Sequence, residues 1–149
     1  YSDAACECIN AIYNDKKIPM VVSTQNNGAI PDLAPDSIVE VTSYITGKGA
    51  MPVAWGKLDS AEKGWIQVMK AMEECVIKAA ITGDYGLALQ AFLLNPQVKG
   101  GAIAKTVLDE MLVAHAKYLP QFAEKIAELK EQGVESKDPV VMDLMVNGH

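Results

Sequence analysis

Residues 37–46 read SIVEVTSYIT, and this run is the part of the sequence that decides the fold. For much of its length, apolar and polar side chains alternate with a period of two, in two sets: Ile38, Glu40, Thr42 and Tyr44 against Val39, Val41, Ser43 and Ile45. A period of two is typical of a β-strand, because its successive side chains point to opposite faces of the sheet. We therefore predict one long strand over residues 37–46.

Two further strands are predicted, one on each side of this run. Residues 19–24 form a short β-branched stretch, and residues 51–55 are a third candidate. The sequence Asn26-Asn27-Gly28 follows the first of them. Because Asn and Gly tolerate a positive φ, we expect a tight turn there. A helix over residues 2–14 precedes the strands.

The second half of the chain has helical periodicity, which predicts helices over residues 60–81, 85–94, 102–118 and 121–132. Ser60 is the expected N-cap of the first of these helices. Three sets of side chains are expected to face inward: Trp65, Val68, Met69, Met72, Val76, Ala79 and Ala80; Ile103, Val107, Leu108, Met111 and Leu112; Phe122, Ile126 and Leu129. Beyond Gly133 the periodicity is weak, although residues 140–146 are apolar enough to dock on another part of the chain.

Helix, strands and then several helices is the order of an α+β protein, in which a small antiparallel sheet is packed by long helices. The chain has 149 residues, half of them hydrophobic, and a net charge of −6 with no arginine. An acidic surface argues against nucleic acid as a partner, and no apolar run is long enough to span a membrane. Three cysteines without a secretory signal predict reduced thiols and a cytoplasmic location.

The groups most often used in catalysis form no motif in this chain. Cys6 and Cys8 point to different sides of a helix, so we expect buried or half-buried thiols and no metal site. His115 is expected at a helix end and His149 is the last residue. The acidic candidates for glycoside hydrolysis are better explained as solvated side chains: Glu40, Glu73 and Glu74. The start at Tyr1 without a methionine indicates a cleavage product or an excised domain.

Several segments, in order, resemble the carboxy-terminal portion of family 4 glycoside hydrolases. They are YSDAACECINAIYND (1–15), VVSTQNNGAIPDL (21–33), SIVEVTSYITGKGAMPVAWG (37–56), EKGWIQVMKAMEECVIKAAITGDYGLALQAFLLNP (62–96) and AKTVLDEMLVAHAKYLPQF (104–122). The chain is most similar to the 6-phospho-β-glucosidase branch. We therefore expect a family 4 carboxy-terminal domain over residues 1–122 and a helical extension with a tail over residues 123–149.

The resemblance implies a fold like the carboxy-terminal domain of lactate and malate dehydrogenases, preceded in the complete protein by a Rossmann domain that this chain lacks. It also implies NAD and Mn²⁺ as cofactors of that protein, which acts on 6-phospho-β-glucosides by oxidation, elimination, addition and reduction. Tyr1 matches the family's catalytic tyrosine, the base that removes the C2 proton. The chain alone is expected to be inactive and to bind neither cofactor.

The same resemblance implies substrate contacts by Gln25, Asn26 and Asn27. Relatives commonly have Arg where this chain has Gln25, so either other residues bind the phosphate or the specificity differs. A purely structural turn at Asn26-Asn27-Gly28 stays open. Two other functions also stay open: a phospho-α-glucosidase or α-galactosidase of the same family, and a non-catalytic helical oligomerisation module. The family's enzymes are commonly homo-oligomers, so we expect one here.

Overall fold

The computed structural model describes residues 2–135, and the chain forms two compact units. The first, the sheet unit, extends to Trp65, and the second, the helical unit, begins at Ile66. The expectations for Tyr1, for residues 140–146 and for His149 lie outside the described residues. The boundary between residues 122 and 123 expected from the sequence stays a prediction.

The sheet unit contains helix α1 (Ser2–Tyr13) and strands β1 (Ile18–Gln25), β2 (Ile38–Thr46) and β3 (Gly49–Pro52). The strands form one antiparallel sheet in the order β1-β2-β3. This confirms the first helix, the first two strands and the small antiparallel sheet. The alternation predicted for β2 is also confirmed, since its buried residues are Val39, Val41, Ser43, Ile45 and the terminal Thr46.

The third strand lies earlier than predicted and ends at Pro52 instead of continuing to Trp55. Thr46 faces Gly49 across a tight turn, so pairing with β2 starts at Gly49. The Val53 N–H still donates to the Thr42 carbonyl, at 2.9 Å. The Trp55 N–H instead donates to the carbonyl of Ala29, at 2.8 Å, and this takes the chain out of the sheet.

The helical unit contains most of α2 (Ser60–Thr82), then α3 (Tyr85–Leu94), α4 (Gly101–Ala114), two short 3₁₀ turns and α5 (Ala123–Glu131). Apolar side chains from all four helices and the second 3₁₀ turn form its core: Ala79, Ala88, Leu108, Leu112, Val113, Phe122, Ile126 and Leu129. The predicted inward side chains of the last helix are therefore confirmed. The predicted α3 has the same bounds as the observed helix.

The predicted N-cap of α2 and the predicted end of α4 were wrong. Ser60 is the first residue of α2 and not its cap, because the carbonyl of Asp59 already accepts from the Lys63 N–H at 2.9 Å. Helix α4 ends at Ala114, with His115 as its C-cap, and a 3₁₀ turn replaces its predicted last turn.

The predicted inward stripe of α4 was also partly wrong. Helix α4 packs against both α3 and α5, so its buried arc is broad: Ala104, Leu108, Asp109, Leu112 and Val113. Ile103, Val107 and Met111 are exposed in consequence, at 51%, 38% and 43%.

Helix α2 buries much less than its apolar stripe predicted. Ala79 is its buried residue, whereas Trp65 is 62% and Val76 49% exposed. Val68, Met69 and Met72 of the predicted stripe are partly buried, and among the described residues α2 joins the core cluster through Ala79. No helix within residues 2–135 combines the length and the apolarity needed to cross a membrane.

Candidate functional site

The loop that follows β1 is organised around the buried side chain of Asn26. Its Nδ2 donates to the carbonyl oxygens of Ile30 (2.9 Å), Leu33 (3.1 Å) and Ala34 (3.1 Å), and its Oδ1 accepts from the Ile30 N–H at 2.8 Å. Asn26 is 0% exposed. A buried amide bonded on both sides fixes the loop, because each lost partner would leave an unsatisfied polar group.

The turn itself depends on residues that accept a left-handed backbone. Asn27 has a φ of 46° and Gly28 a φ of 86°. The carbonyl of Asn26 accepts from the Ala29 N–H at 2.8 Å, and the Asn27 N–H donates to the carbonyl of Pro35 at 2.9 Å. Asn and Gly are the residues that adopt this conformation at least cost, so the tight turn predicted from Asn26-Asn27-Gly28 is confirmed.

A second set of contacts, made by the Asp32 carboxylate, also holds the loop. Oδ1 of Asp32 lies 2.6 Å from Nζ of Lys63, and its Oδ2 accepts from the Leu58 N–H at 2.8 Å. The hydrogen bond from Lys63, followed by the one from Leu58, lowers the pKa of Asp32. The loop therefore presents a fixed outer surface.

Gln25 and Asn27 lie on that outer surface and Asn26 lies beneath it. Gln25 ends β1 opposite Ile38, and the neighbouring cross-strand pair on the same exposed face is Ser23 and Glu40. The side chains of Gln25 and Asn27 are neutral amides, which donate and accept hydrogen bonds but transfer no proton near neutral pH. They are suited to orienting a hydroxyl-rich ligand.

Trp55 is a surface residue beside this loop that the sequence had placed in a strand. Its backbone N–H is tied to Ala29, and its side chain is 66% exposed. An exposed aromatic ring is the usual apolar complement to amide groups in a binding surface. The signal in the sequence was the break after Pro52, since a proline disfavours continued pairing within a sheet.

Four titratable side chains in the helical unit interact with one another. The Tyr85 hydroxyl donates to Oδ1 of Asp109 at 2.6 Å, and Asp109 also pairs with Lys105. Burial, followed by the carboxylate of Asp109, raises the pKa of Tyr85. Nζ of Lys125 lies 4.7 Å from the centroid of the Tyr85 ring. All four groups have partners, so the cluster joins α3, α4 and α5 and leaves no free acid or base.

Metal and cofactor ligands are not assembled in this part of the protein. Cys6 is exposed, so the prediction of a buried or half-buried thiol was wrong for this residue. It lies on α1, a helix whose buried residue is Ala11. Cys8 and Cys75 are partly buried, as predicted. Across residues 2–135, no three His, Cys, Asp or Glu side chains are close enough to share a metal ion. The described residues thus do not fit Mn²⁺, and their glycines form no dinucleotide-binding loop.

Comparison with known proteins connects this fold to one family. Residues 1–98 match the model described as "Family 4 glycosyl hydrolase C-terminal domain". The chain is 49% identical to a probable 6-phospho-β-glucosidase of Bacillus subtilis, over 85% of this chain and 28% of that protein. It is 40% identical to the 6-phospho-β-glucosidase of Escherichia coli, over 88% of this chain and 29% of that protein.

Two solved structures are similar. A 6-phospho-α-glucosidase from gut microorganisms, in complex with NAD and glucose-6-phosphate, matches with a TM-score of 0.73 at 34% identity, over 77% of this chain and 26% of that one. The 6-phospho-β-glucosidase of Thermotoga maritima with manganese, NAD⁺ and glucose-6-phosphate matches with a TM-score of 0.71 at 30% identity, over 78% of this chain and 29% of that one.

The chain thus spans less than a third of the length of these proteins. The likeness confirms the expected fold, the carboxy-terminal type of lactate and malate dehydrogenases. The loop at Asn26 and the exposed amides of Gln25 and Asn27 lie inside the matched residues. Because the family model matches residues 1–98, most of the sequence, the chain belongs to family 4 of the glycosyl hydrolases, as part of their carboxy-terminal domain.

Proposed function

We propose that the chain is the carboxy-terminal part of a 6-phospho-β-glucosidase, which hydrolyses 6-phospho-β-glucosides by oxidation, elimination, addition and reduction. The observation that carries this proposal is the identity of 49% to a probable 6-phospho-β-glucosidase and of 40% to a 6-phospho-β-glucosidase. The α-specific branch is the alternative, because the identity to the α-specific structure is 34%, against 30% to the β-specific structure from Thermotoga maritima. NAD and Mn²⁺ belong in this proposal to the complete protein, and we assign them no ligand among residues 2–135.

Four further properties belong to the same proposal. The complete protein carries a Rossmann domain ahead of this chain, which is consistent with the share of its relatives that the chain spans. It is a homo-oligomer and works in the cytoplasm, where 6-phospho-sugars occur. The 149-residue chain alone is inactive, because a carboxy-terminal portion without the dinucleotide domain lacks most of a sugar pocket.

Tyr1 is the catalytic residue of this proposal and the amides at the β1 end are the binding residues. The phenolate of Tyr1 removes the C2 proton, which requires a nearby cation to lower its pKa. Gln25 and Asn27 donate hydrogen bonds to sugar hydroxyls from the outer surface of the loop. The buried amide of Asn26 holds the turn that presents them, and its bonds within the loop favour positioning over direct contact.

The test is a hydrolysis assay of the complete protein with p-nitrophenyl 6-phospho-β-glucoside and its α-anomer, in the presence of NAD, Mn²⁺ and a reductant. We expect the β-anomer to be cleaved and Tyr1→Phe to lose nearly all activity. The matched control is Tyr13→Phe, the same change on a side chain that is 87% exposed, which should leave the rate unchanged. Preferred cleavage of the α-anomer, or full activity of Tyr1→Phe, contradicts the proposal.

The binding residues are tested by steady-state kinetics on the same protein. Gln25→Ala should raise KM more than it lowers kcat, because a contact made equally in ground and transition states affects binding alone. Ser23→Ala lies two residues earlier on the same exposed face of β1 and should change neither constant. Equal effects of the two substitutions would remove Gln25 from the site.

A further inference from the structure

A hollow lies on the exposed face of the sheet, near the end of β1 that is away from Gln25. Among the described residues, it is lined by the side chains of Lys17, Tyr44, Thr46, Met51, Pro52 and Val53. It offers about 530 Å³ and is open to solvent, since Tyr44 is 50% and Met51 56% exposed. Small-molecule sites have volumes from about 300 to 1,000 Å³. The hollow therefore has room for a ligand of one ring with its substituents.

The register of the sheet places the apolar side chains of the hollow in one row. Tyr44 lies opposite Pro19 on β1 and opposite Met51 on β3. Because neighbouring strands are about 4.8 Å apart, the Tyr44 ring and the Met51 thioether are direct neighbours on the exposed face. Aromatic faces and thioethers both pack well on a flat aromatic ring. This row is therefore suited to a ring of that kind.

Lys17 is the charged residue among the six side chains that line the hollow. Within residues 2–135, neither its ammonium group nor the hydroxyl of Tyr44 has a hydrogen-bonding partner. The hydroxyl of Thr46 differs, since it donates to the carbonyl of Gly49 at 3.0 Å and accepts from the Lys48 N–H at 3.1 Å. Lys17 and Tyr44 therefore supply the hydrogen-bond donors that are available to a ligand.

The backbone holds Lys17 in a conformation that lysine rarely adopts. Its φ is 55°, in the left-handed region. Two hydrogen bonds fix the loop in front of it. The Lys16 N–H donates to the carbonyl of Ala11 at 3.0 Å, and the Gly47 N–H donates to Oδ1 of Asp15 at 2.9 Å. Strained residues that their surroundings hold in place cluster at ligand contacts. The fold therefore fixes the position of Lys17 at the hollow.

Charge and hydrogen-bonding capacity together select the class of ligand. One cation calls for one anionic group, and the carboxylate of Glu40 on the same face lies four residues from Tyr44, about 13 Å along β2. A sugar ring is disfavoured, because hydroxyl groups placed against Met51 and Val53 would lose their hydrogen bonds to water without replacement. An aromatic ring has no such groups to satisfy.

We propose that the hollow binds an aromatic anion, a benzoate or an aryl phosphate. Its ring packs on Tyr44 and Met51, and its charged group pairs with the ammonium of Lys17. This site is separate from the amides at the other end of β1, because the six residues from Pro19 to Gln25 extend over about 20 Å. The proposal therefore does not depend on the hydrolytic activity of the complete protein.

The test is a titration of the 149-residue chain with benzoate and with phenyl phosphate, followed by methyl NMR. The methyl signals of Met51 and Val53 should shift and saturate with at least one of the two anions, whereas those of the buried Val113 should not move. Which anion binds more tightly identifies the preferred charged group. The absence of a saturable shift with both anions overturns the proposal.

Three control ligands separate the contributions of the ring and the charge. Inorganic phosphate has the charge without the ring, benzyl alcohol has the ring without the charge, and glucose 6-phosphate carries its anion on a hydroxyl-rich ring. Each should bind at least about tenfold more weakly than the better aromatic anion, because each lacks one of the matched features. If any of the three binds as tightly, the assigned class of ligand is wrong.

Substitutions test the two sides of the hollow. Lys17→Met should weaken binding about tenfold, because it removes the charge and keeps the length of the side chain. Its control is Lys16→Met, on an exposed neighbour outside the hollow. Tyr44→Leu should also weaken binding, whereas Tyr13→Leu, on a side chain that is 87% exposed and outside the hollow, should not. Circular dichroism checks that each variant keeps the fold. Equal affinities within either pair contradict the proposal.

Discussion

The carbonyl oxygen of Gln121 lies against the Cα of Gly83, only 1.9 Å from where a Cβ at that position would stand. Gly83 has a φ of 74° and follows directly after α2, while Gln121 lies in the second 3₁₀ turn. This contact brings the end of α2 against the turn that leads into α5. It leaves no space for any side chain at position 83.

Gly83→Ala should therefore destabilise the helical unit by about 3 kcal/mol or more, from the left-handed backbone and the clash together. The measurement is the urea midpoint followed by far-ultraviolet circular dichroism. The control is Gly64→Ala, inside α2, where an added Cβ would meet nothing within 4 Å. That substitution should stabilise by up to about 1 kcal/mol, because alanine favours a helix interior. Equal midpoints for the two variants would contradict the close contact.

Much of the fold could be predicted because local signals were strong. The alternation of β2, the turn at Asn26-Asn27-Gly28 and the stop at Asn95 each depend on a few neighbouring residues. The Asn95 N–H donates to the carbonyls of Ala91 and Phe92, as expected at a helix end.

The largest group of errors concerns which helical faces are covered, because this depends on neighbours that sequence periodicity does not specify. Met111 and Val76 fit an apolar stripe in the sequence, yet both are exposed. Asp109 shows the converse, as a carboxylate that is buried because Tyr85 and Lys105 bind it. The candidate site was located by resemblance and not by pattern. That Asn26 is buried and Asn27 exposed could be seen only in the structure.

Asn26→Asp should unfold or strongly weaken the sheet unit. The substitution keeps the shape but replaces an N–H₂ donor by a carboxylate oxygen that faces three carbonyl oxygens in a fully buried place. The expected cost is about 3 kcal/mol or more. Thermal unfolding measures it.

Asn27→Asp is the matched control for that prediction. Asn27 is exposed, and aspartate tolerates its positive φ, so we expect a change within about 0.5 kcal/mol. A Tm for Asn26→Asp as high as that of Asn27→Asp would show that the buried amide does not hold the loop.

Tyr85→Phe should cost about 1 kcal/mol at neutral pH, because it removes the hydrogen bond to Asp109. The raised pKa of Tyr85 also predicts a pH dependence. Above about pH 10 the unfolded tyrosine ionises while the folded one keeps its proton, so the unaltered chain loses stability as the pH rises. The phenylalanine variant lacks this loss. The difference in Tm between the two chains should therefore shrink with rising pH. A difference that stays constant would contradict the raised pKa of Tyr85 in the folded chain.

Asp32→Asn should reduce the acid sensitivity of the sheet unit. Lys63 and the Leu58 N–H lower the pKa of Asp32 below its ordinary value of 3.8, so its stabilising contribution is present above that value. The contribution is lost as the pH falls through the lower pKa of the folded state. We expect the Tm of the unaltered chain to fall more steeply than that of the variant between neutral pH and about pH 2.5. Asp36→Asn, an exposed aspartate on the same loop, should keep the steeper fall. If Asp32→Asn shows the same fall as Asp36→Asn, the pairing with Lys63 contributes nothing to the stability of the loop.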